Sequence, residues 1–345
     1  MGQSVVINQP DDWHLHLRDG DYLTDTVAAT AQHFARALVM PNLKPALTTL
    51  QSLRDYQNRI IAALPPQSQF QPYMTFYLNE TVSPEDIISA KGLSTILGGK
   101  LYPAGATTNS EAGAASINLL YPLFDLMQSQ DLVLQIHGEV THGDIFDRES
   151  LFLEEVLSPI INKFPRLRIV LEHISTKAAV DFIINAPAHV AATITPHHLY
   201  YNRNHLLAGG IKPHFYCLPI LKREHDQQAL IKAAISGNPK FFAGTDSAPH
   251  SRHTKESACG CAGIYSAPYA MAVYTEVFAQ DGHLDRLNAF TSQFGADFYK
   301  LPVNQKQIEL RSIPQIVPAK LKFGSDWVIP IAAGQTLQWS VHEAS

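Results

Sequence analysis

The 345-residue chain has a net charge of −5, with 46% hydrophobic and 17% charged residues, an ordinary globular composition that suits two domains or one large barrel. No run of about 18 apolar residues occurs, which excludes a membrane-spanning helix, and acidic charge spread along the chain argues against a nucleic-acid partner. Three cysteines cannot build a disulfide framework and suit a reducing cytoplasm. The first residues carry Asp11, Asp12 and Asp19 without an apolar stretch, so no secretory signal is expected. The outlying count is 16 histidines.

In chain order, short apolar runs fall at Trp13–Leu17, Ala37–Met40, Tyr73–Leu78, Thr95–Tyr102, Leu132–His137, Ile169–His173, Val190–Thr195 and Phe241–Thr245. Their length and content predict strands buried on both faces. Helical patterns separate most of them. Ser83-Pro84-Glu85-Asp86 opens one, with an N-cap serine, proline at the first position and acids in the first turn. Ser116–Gln130, Leu151–Phe164 and Glu224–Ser236 read the same way. The connection over residues 196–240 is longer and holds a further apolar run, Phe215–Ile220.

Eight such strands alternating with helices predict an α/β fold of the (β/α)₈ barrel type. A doubly wound sheet would need a glycine-rich turn after the first strand, which His14-Leu15-His16-Leu17-Arg18 does not supply. Helices are expected near Ala267–Gln280 and Asp285–Tyr299. Strand-like pieces at Ile308–Leu310, Trp327–Ile331 and Thr336–Val341 are expected to pack on the barrel, making residues 1–345 a single domain.

Metal-ligand residue types gather at the ends of these strands: His14 and His16 at the first, Lys100 in the fourth, His137 at the fifth, His173 at the sixth and Asp246 after the eighth. Strand ends of a barrel converge on one face. Residues i and i+2 of a strand point to one side, so His14 and His16 can offer two imidazoles to one ion. Histidine with carboxylate suits Zn²⁺. Taken singly, each has a plainer explanation. A strand histidine is more often a hydrogen-bonded core residue, Lys100 could snorkel, Asp246 could cap a helix, and Arg18 could pair with Asp19 or Asp21. Six residues at convergent positions outweigh these explanations.

Several stretches are specific: Pro10-Asp11-Asp12-Trp13-His14-Leu15-His16-Leu17-Arg18-Asp19-Gly20, Met40-Pro41-Asn42-Leu43, Lys100-Leu101-Tyr102-Pro103-Ala104, and His137-Gly138-Glu139-Val140. Further on come Glu172-His173-Ile174, Thr193-Ile194-Thr195-Pro196-His197-His198-Leu199, Gly244-Thr245-Asp246-Ser247-Ala248-Pro249-His250, and Lys255-Glu256-Ser257 leading to Cys259-Gly260-Cys261-Ala262-Gly263. Over nearly the whole chain the sequence resembles the amidohydrolase superfamily, and within it the dihydroorotases of the short, single-function type.

The resemblance implies two Zn²⁺ per subunit. The more buried ion takes His14, His16 and Asp246, the other takes His137 and His173, and Lys100 bridges both as its CO₂-derived carbamate. An ammonium between two cations would be repelled, whereas CO₂ addition makes the amine an anionic two-oxygen ligand. Gly98 and Gly99 leave room for close approach.

The implied reaction is reversible cyclisation of N-carbamoyl-L-aspartate to L-dihydroorotate plus water, a step of pyrimidine biosynthesis. Two metals lower the pKa of a shared water toward ~7, and the hydroxide attacks the ring amide, with Asp246 as general base then acid. Ring opening releases a proton, so high pH favours opening. For the substrate the resemblance implies Arg18, Asn42 and His250 on the unreactive carboxylate, and backbone groups of Leu218 and Ala262 on the pyrimidine edge. It also implies a lid, Gly105–Gly113, whose Thr107 and Thr108 touch substrate. A homodimer is the family expectation.

Cys259-x-Cys261 has no second Cys/His pair at zinc spacing and reads as reduced thiols. His197, His198 and His205 read as structural or outer-layer residues. A hydantoinase-like cyclic amidase would share the metal site but have no use for Arg18, Asn42 and His250. A catalytically dead scaffold would be expected to have lost ligands.

Overall fold

The computed structural model describes residues 2–114 and 116–344. After a first strand, β1 (Ser4–Asn8), come β2 (Asp11–Leu15), β3 (Arg36–Val39), β4 (Gln71–Leu78) and β5 (Ile96–Leu101). Then follow β6 (Val133–His137), β7 (Ile169–Glu172), β8 (Val190–Ile194) and β9 (Phe241–Ala243). Strands β2 to β9 pair in chain order, all parallel, and helices occupy the connections. This is a (β/α)₈ barrel, and each of the eight apolar runs supplies one of its strands.

The barrel closes through a side chain. The Asp12 carboxylate in β2 accepts hydrogen bonds from Thr245 N (2.8 Å) and Thr245 Oγ1 (2.5 Å) just beyond β9, and from His14 N (3.2 Å). Backbone bonds Asp246 N to His14 O (2.7 Å) and His16 N to Ser247 O (2.9 Å) continue the seam. Below it, Trp13, Leu38, Tyr73, Val133, Val170, Ala191 and Phe242 from seven strands pack with Tyr299 into one buried cluster. Trp13 stacks on Tyr299 with ring centroids 4.5 Å apart. The barrel interior is therefore filled on the N-terminal side of the strands, and the open face is the C-terminal one.

Several boundaries differ from expectation. Strand β2 begins and ends two residues earlier than Trp13–Leu17, and its register slips between Asp12 and Leu15. His16 thus lies beyond the strand, and its bond to Ser247, rather than strand periodicity, sets its direction. The expected helix Leu151–Phe164 is interrupted by a π-turn at Leu153–Leu157, just before Pro159, which has no amide hydrogen to extend the α-ladder. Asp285–Tyr299 is similarly broken into short 3₁₀, π and α pieces. Phe215–Ile220 is irregular, since the 3₁₀ turn Pro213–Phe215 and Pro219 leave little ladder to form. Thr336–Val341 splits into Thr336–Leu337 and Ser340–Glu343, which pair with different strands.

The tail strand β10 (Gln307–Arg311) lies between β1 and Ser340–Glu343 in a small antiparallel sheet. An isolated bridge joins Tyr265 to Pro330. Among the described residues no helix is long and apolar enough to cross a membrane.

Asp12→Ala leaves two backbone N–H groups and a hydroxyl without their acceptor in a buried seam. It should lower unfolding free energy by at least about 2 kcal/mol in a urea titration; an unchanged midpoint would remove the seam from its closing role.

Candidate metal centre

His14, His16 and Asp246 offer ligand atoms that all lie within 4.8 Å of one another, and all three are buried. His14 Nε2 is 3.5 Å and His16 Nε2 3.2 Å from Asp246 Oδ1. Opposite them, His137 Nδ1 and His173 Nε2 are 3.2 Å apart. The His14 and His173 ring centroids are 5.0 Å apart, so the two groups share one cavity floor. His173 and Asp246 both follow their strands with left-handed backbone, φ +42° in each case, a conformation costly for residues with a side chain and common where a site imposes it.

Carboxylates and an amide stand beside the outer nitrogens, although the Glu172 oxygen near His14 is not aligned for a hydrogen bond. His14 Nδ1 is 2.9 Å from Glu172 Oε2, His137 Nε2 is 2.9 Å from Glu139 Oε2, and His16 Nδ1 is 2.8 Å from Asn42 Oδ1. Such partners fix ring orientation and the nitrogen left to coordinate. Burial pushes His14 and His173 well below the ordinary imidazole range and lowers His16 too, so these rings are neutral with a lone pair available. Burial also raises Glu172 to about 8.

Lys100 sits beneath the histidines, completely buried, and its Nζ has no hydrogen-bond partner. Burial lowers its pKa to about 8, partly opposed by Glu172 and Asp246. A snorkelling lysine would reach water, and this one does not. A Cβ built on Gly98 would stand 1.9 Å from Val133 O, so only glycine allows β5 and β6 to pack this closely beside Lys100. Asp246 caps no helix, since the next one, Arg252–Lys255, is capped by Ser251.

Arg18 also departs from its plainer explanation. Asp19 pairs with Arg59, while Arg18 donates from Nε to Pro249 O and from its terminal nitrogen to His250 Nε2, both at 2.9 Å. His250 is thereby a neutral acceptor; burial, then Arg18, lowers it to about 2. Arg18, Asn42, Thr107, Thr108, Leu218 and Ala262 line the small cavity above the histidines, and His250 lines the wider opening beside it together with Arg18, Asn42 and Thr108.

The loop 105–113 is folded over this cavity. Asn42 Nδ2 donates to Thr108 O (3.1 Å), Thr108 Oγ1 to Ala262 O (3.3 Å), and Asn109 Nδ2 to Asn42 O (3.0 Å). Asn42 therefore joins His16 to the loop. Sequence reasoning missed Asp12, Glu139 and Glu172 as partners of the histidines, and Tyr102, whose buried hydroxyl has no hydrogen-bond partner and whose ring borders the cavity. His-x-Glu at 137–139 and Glu-His at 172–173 were the available signals.

The Amidohydrolase family model matches residues 10–324, and the chain belongs to this family. A dihydroorotase of Coxiella burnetii (strain RSA 331 / Henzerling II) is 55% identical over 341 residues, 98% of each chain. The solved dihydroorotase of Campylobacter jejuni is 35% identical with TM-score 0.91, over 99% of this chain and 98% of that one. That of Saccharomyces cerevisiae, in complex with 5-fluoroorotic acid, is 34% identical with TM-score 0.90 over 99% of both. Within the amidohydrolases, the chain belongs with the dihydroorotases.

In metal-free protein, a Lys100 pKa depressed from 10.5 to about 8 makes the unfolded chain bind the extra proton between those values. Stability from this group is complete above 10.5 and lost as pH falls through about 8. Lys100→Met should remove this rise, on the order of 3 kcal/mol, from unfolding titrations across that window. An identical pH profile in the variant would contradict an unpaired buried amine.

Proposed function

We propose that the chain is a dihydroorotase, interconverting N-carbamoyl-L-aspartate and L-dihydroorotate in pyrimidine biosynthesis. The observation that carries the reading is the joint presence of the buried histidine–aspartate floor and the Arg18–His250 pair at the cavity mouth. The first suits amide hydrolysis, and the second a substrate that bears an unreactive carboxylate.

The residues fit two Zn²⁺ ions. Neutral imidazoles and a carboxylate are the donor types zinc takes, and the unpartnered Lys100 amine is a group in want of a chemical partner. His14, His16 and Asp246 would hold one ion, His137 and His173 the other, and Lys100, as its CO₂-derived carbamate, would bridge them. When bound, such ions polarise a carbonyl and lower the pKa of water.

The chain's own groups do the rest. Arg18 presents a guanidinium suited to grip a carboxylate by two N–H groups. Asn42 and His250 complete that grip, and backbone groups of Leu218 and Ala262 face the pyrimidine edge. Thr107 and Thr108 close the cavity against water from the loop. Asp246 takes the proton of the attacking water and delivers it to the leaving ring nitrogen. A reducing cytoplasmic setting, which three free thiols suit, a single domain over residues 1–345 and a homodimeric assembly complete the proposal.

Hydrolysis of L-dihydroorotate, followed by ultraviolet absorbance before and after chelation, tests the reading. Chelator-sensitive turnover restored by Zn²⁺ supports it; no turnover in folded, zinc-loaded protein returns the substrate to the wider cyclic amides. Asp246→Ala should lower turnover by about 10²–10⁴-fold, and Arg18→Ala should raise KM by about tenfold or more with metal content retained. Because opening the ring releases a proton, the equilibrium ratio of open to closed form should rise with pH. Reconstitution with ¹³C-bicarbonate should give a carbamate carbon resonance that Lys100→Ala lacks.

A further inference from the structure

A second, distinct group of metal-ligating side chains lies beside this centre, near enough for His197 to act on His14 and His198 on His173. His197, His198 and Cys217 are all buried, and one ligand atom from each lies within 4.8 Å of the others. His197 and His198 stand in the short helix Pro196–Tyr200 after β8, with ring centroids 4.6 Å apart. Cys217 comes from the irregular connection that leads to β9, next to Leu218, which lines the substrate cavity.

The hydrogen bonds of this group are incomplete in a telling way. Neither ring nitrogen of His197 has a partner, although the residue is wholly buried. A buried imidazole normally satisfies at least its N–H, because an unmet polar group in the interior loses its hydration without compensation. His198 Nε2 lies 3.0 Å and Cys217 Sγ 3.3 Å from the same acceptor, Pro219 O. His198 Nδ1 lies 2.8 Å from Thr195 Oγ1. Two donors on one carbonyl, beside an unpartnered imidazole, is the arrangement expected where a cation can replace protons. The nearby Lys255 ammonium is already engaged, donating to Tyr216 O and Gly263 O at 2.7 Å each.

We propose that His197, His198 and Cys217 form a separate site for a thiophilic cation, Zn²⁺ foremost, which ties the Leu218 wall of the substrate cavity to the helix after β8. The exchange balances. Zn²⁺ forms a bond to Sγ as the thiol proton leaves to solvent. At His198 the ring proton passes from Nε2 to Nδ1, where Thr195 Oγ1 turns from donor to acceptor, and Nε2 binds the ion. His197 contributes a lone pair it spends on nothing else. Zn–N near 2.0–2.1 Å and Zn–S near 2.3 Å place tetrahedral ligands roughly 3.3–3.6 Å apart, so the side chains draw in by about 1 Å. The Pro219 carbonyl, already facing two of the three donors, is placed to complete the shell. Nitrogen–sulfur donors distinguish this site from the oxygen- and nitrogen-rich centre above it.

Cobalt reports sulfur ligation directly. Full-length protein carrying Cys259→Ser and Cys261→Ser, with its main centre loaded with Zn²⁺, is titrated with Co²⁺ without oxygen. The expected result is a near-ultraviolet thiolate-to-cobalt band that saturates at about one ion per chain. The band should vanish in Cys217→Ser, and His197→Gln should weaken Co²⁺ binding by about tenfold or more while circular dichroism stays unchanged. Absence of the band before further mutation, or its persistence in Cys217→Ser, overturns the proposal. If Cys217→Ser does not fold, His197→Gln decides alone, and undiminished binding there overturns it.

Discussion

The closure of the barrel between its first and last strands is the constraint on which the rest depends. Strands β2 and β9 are joined by two hydrogen bonds from Thr245 to the Asp12 carboxylate and by the backbone bonds of Asp246 and Ser247 to His14 and His16, not by an extended ladder. That seam turns the chain at Thr245 so that Asp246 N meets His14 O, and it places His14, His16 and Asp246 within one small volume. Burial raises Asp12 to about 7, a measure of how far the seam is removed from water. A carboxylate kept there is costly unless its donors are aimed at it, and here they are.

The same exclusion of water governs the chemistry above. Imidazoles that would carry a proton at the surface are neutral in the floor of the barrel, and a lysine that would be charged is held where a free ammonium has no partner. Neutral nitrogens suit a cationic centre because each offers a lone pair, and a lysine lowered to about 8 gives up its proton more readily than an exposed one. Glu139 takes the outer nitrogen of His137, and the Glu172 carboxyl lies 2.9 Å from that of His14. The orientation of His137 is thus set one layer out from the cavity, by a residue that does not line it.

Closure over the cavity is coupled to the floor through one amide. Asn42 bonds His16 on one side and the Thr108 carbonyl on the other, so a movement of the loop is felt at a histidine of the centre. At the mouth, Arg18 is pre-aimed by Pro249 and His250 instead of by an acidic residue. A guanidinium held by neutral acceptors keeps its full charge, which a salt bridge to Asp19 would have neutralised.

Much of this was legible along the chain. Eight buried strands announce themselves because parallel strands covered on both faces need continuous apolar runs, and Lys100, His137 and His173 stand out because polar residues at the ends of such runs need a reason. The His14–His16 spacing pointed to the right pair for an incomplete reason, since His16 is oriented by Ser247 across the seam. The π-interruption before Pro159 and the split of residues 336–341 were not legible, because helical and strand periodicities survive local breaks of one turn. Neither was the meeting of His197, His198 and Cys217, which sequence separates by about 20 positions without a recognisable spacing. By itself the sequence determined the strand count, the family and the residue types at the strand ends, since hydrophobic burial and donor chemistry are properties of local composition. Which atoms face one another, which imidazoles lose their protons and which amine is left alone were decided only by the tertiary structure, because burial and hydrogen-bond partnership are set by segments distant in the chain.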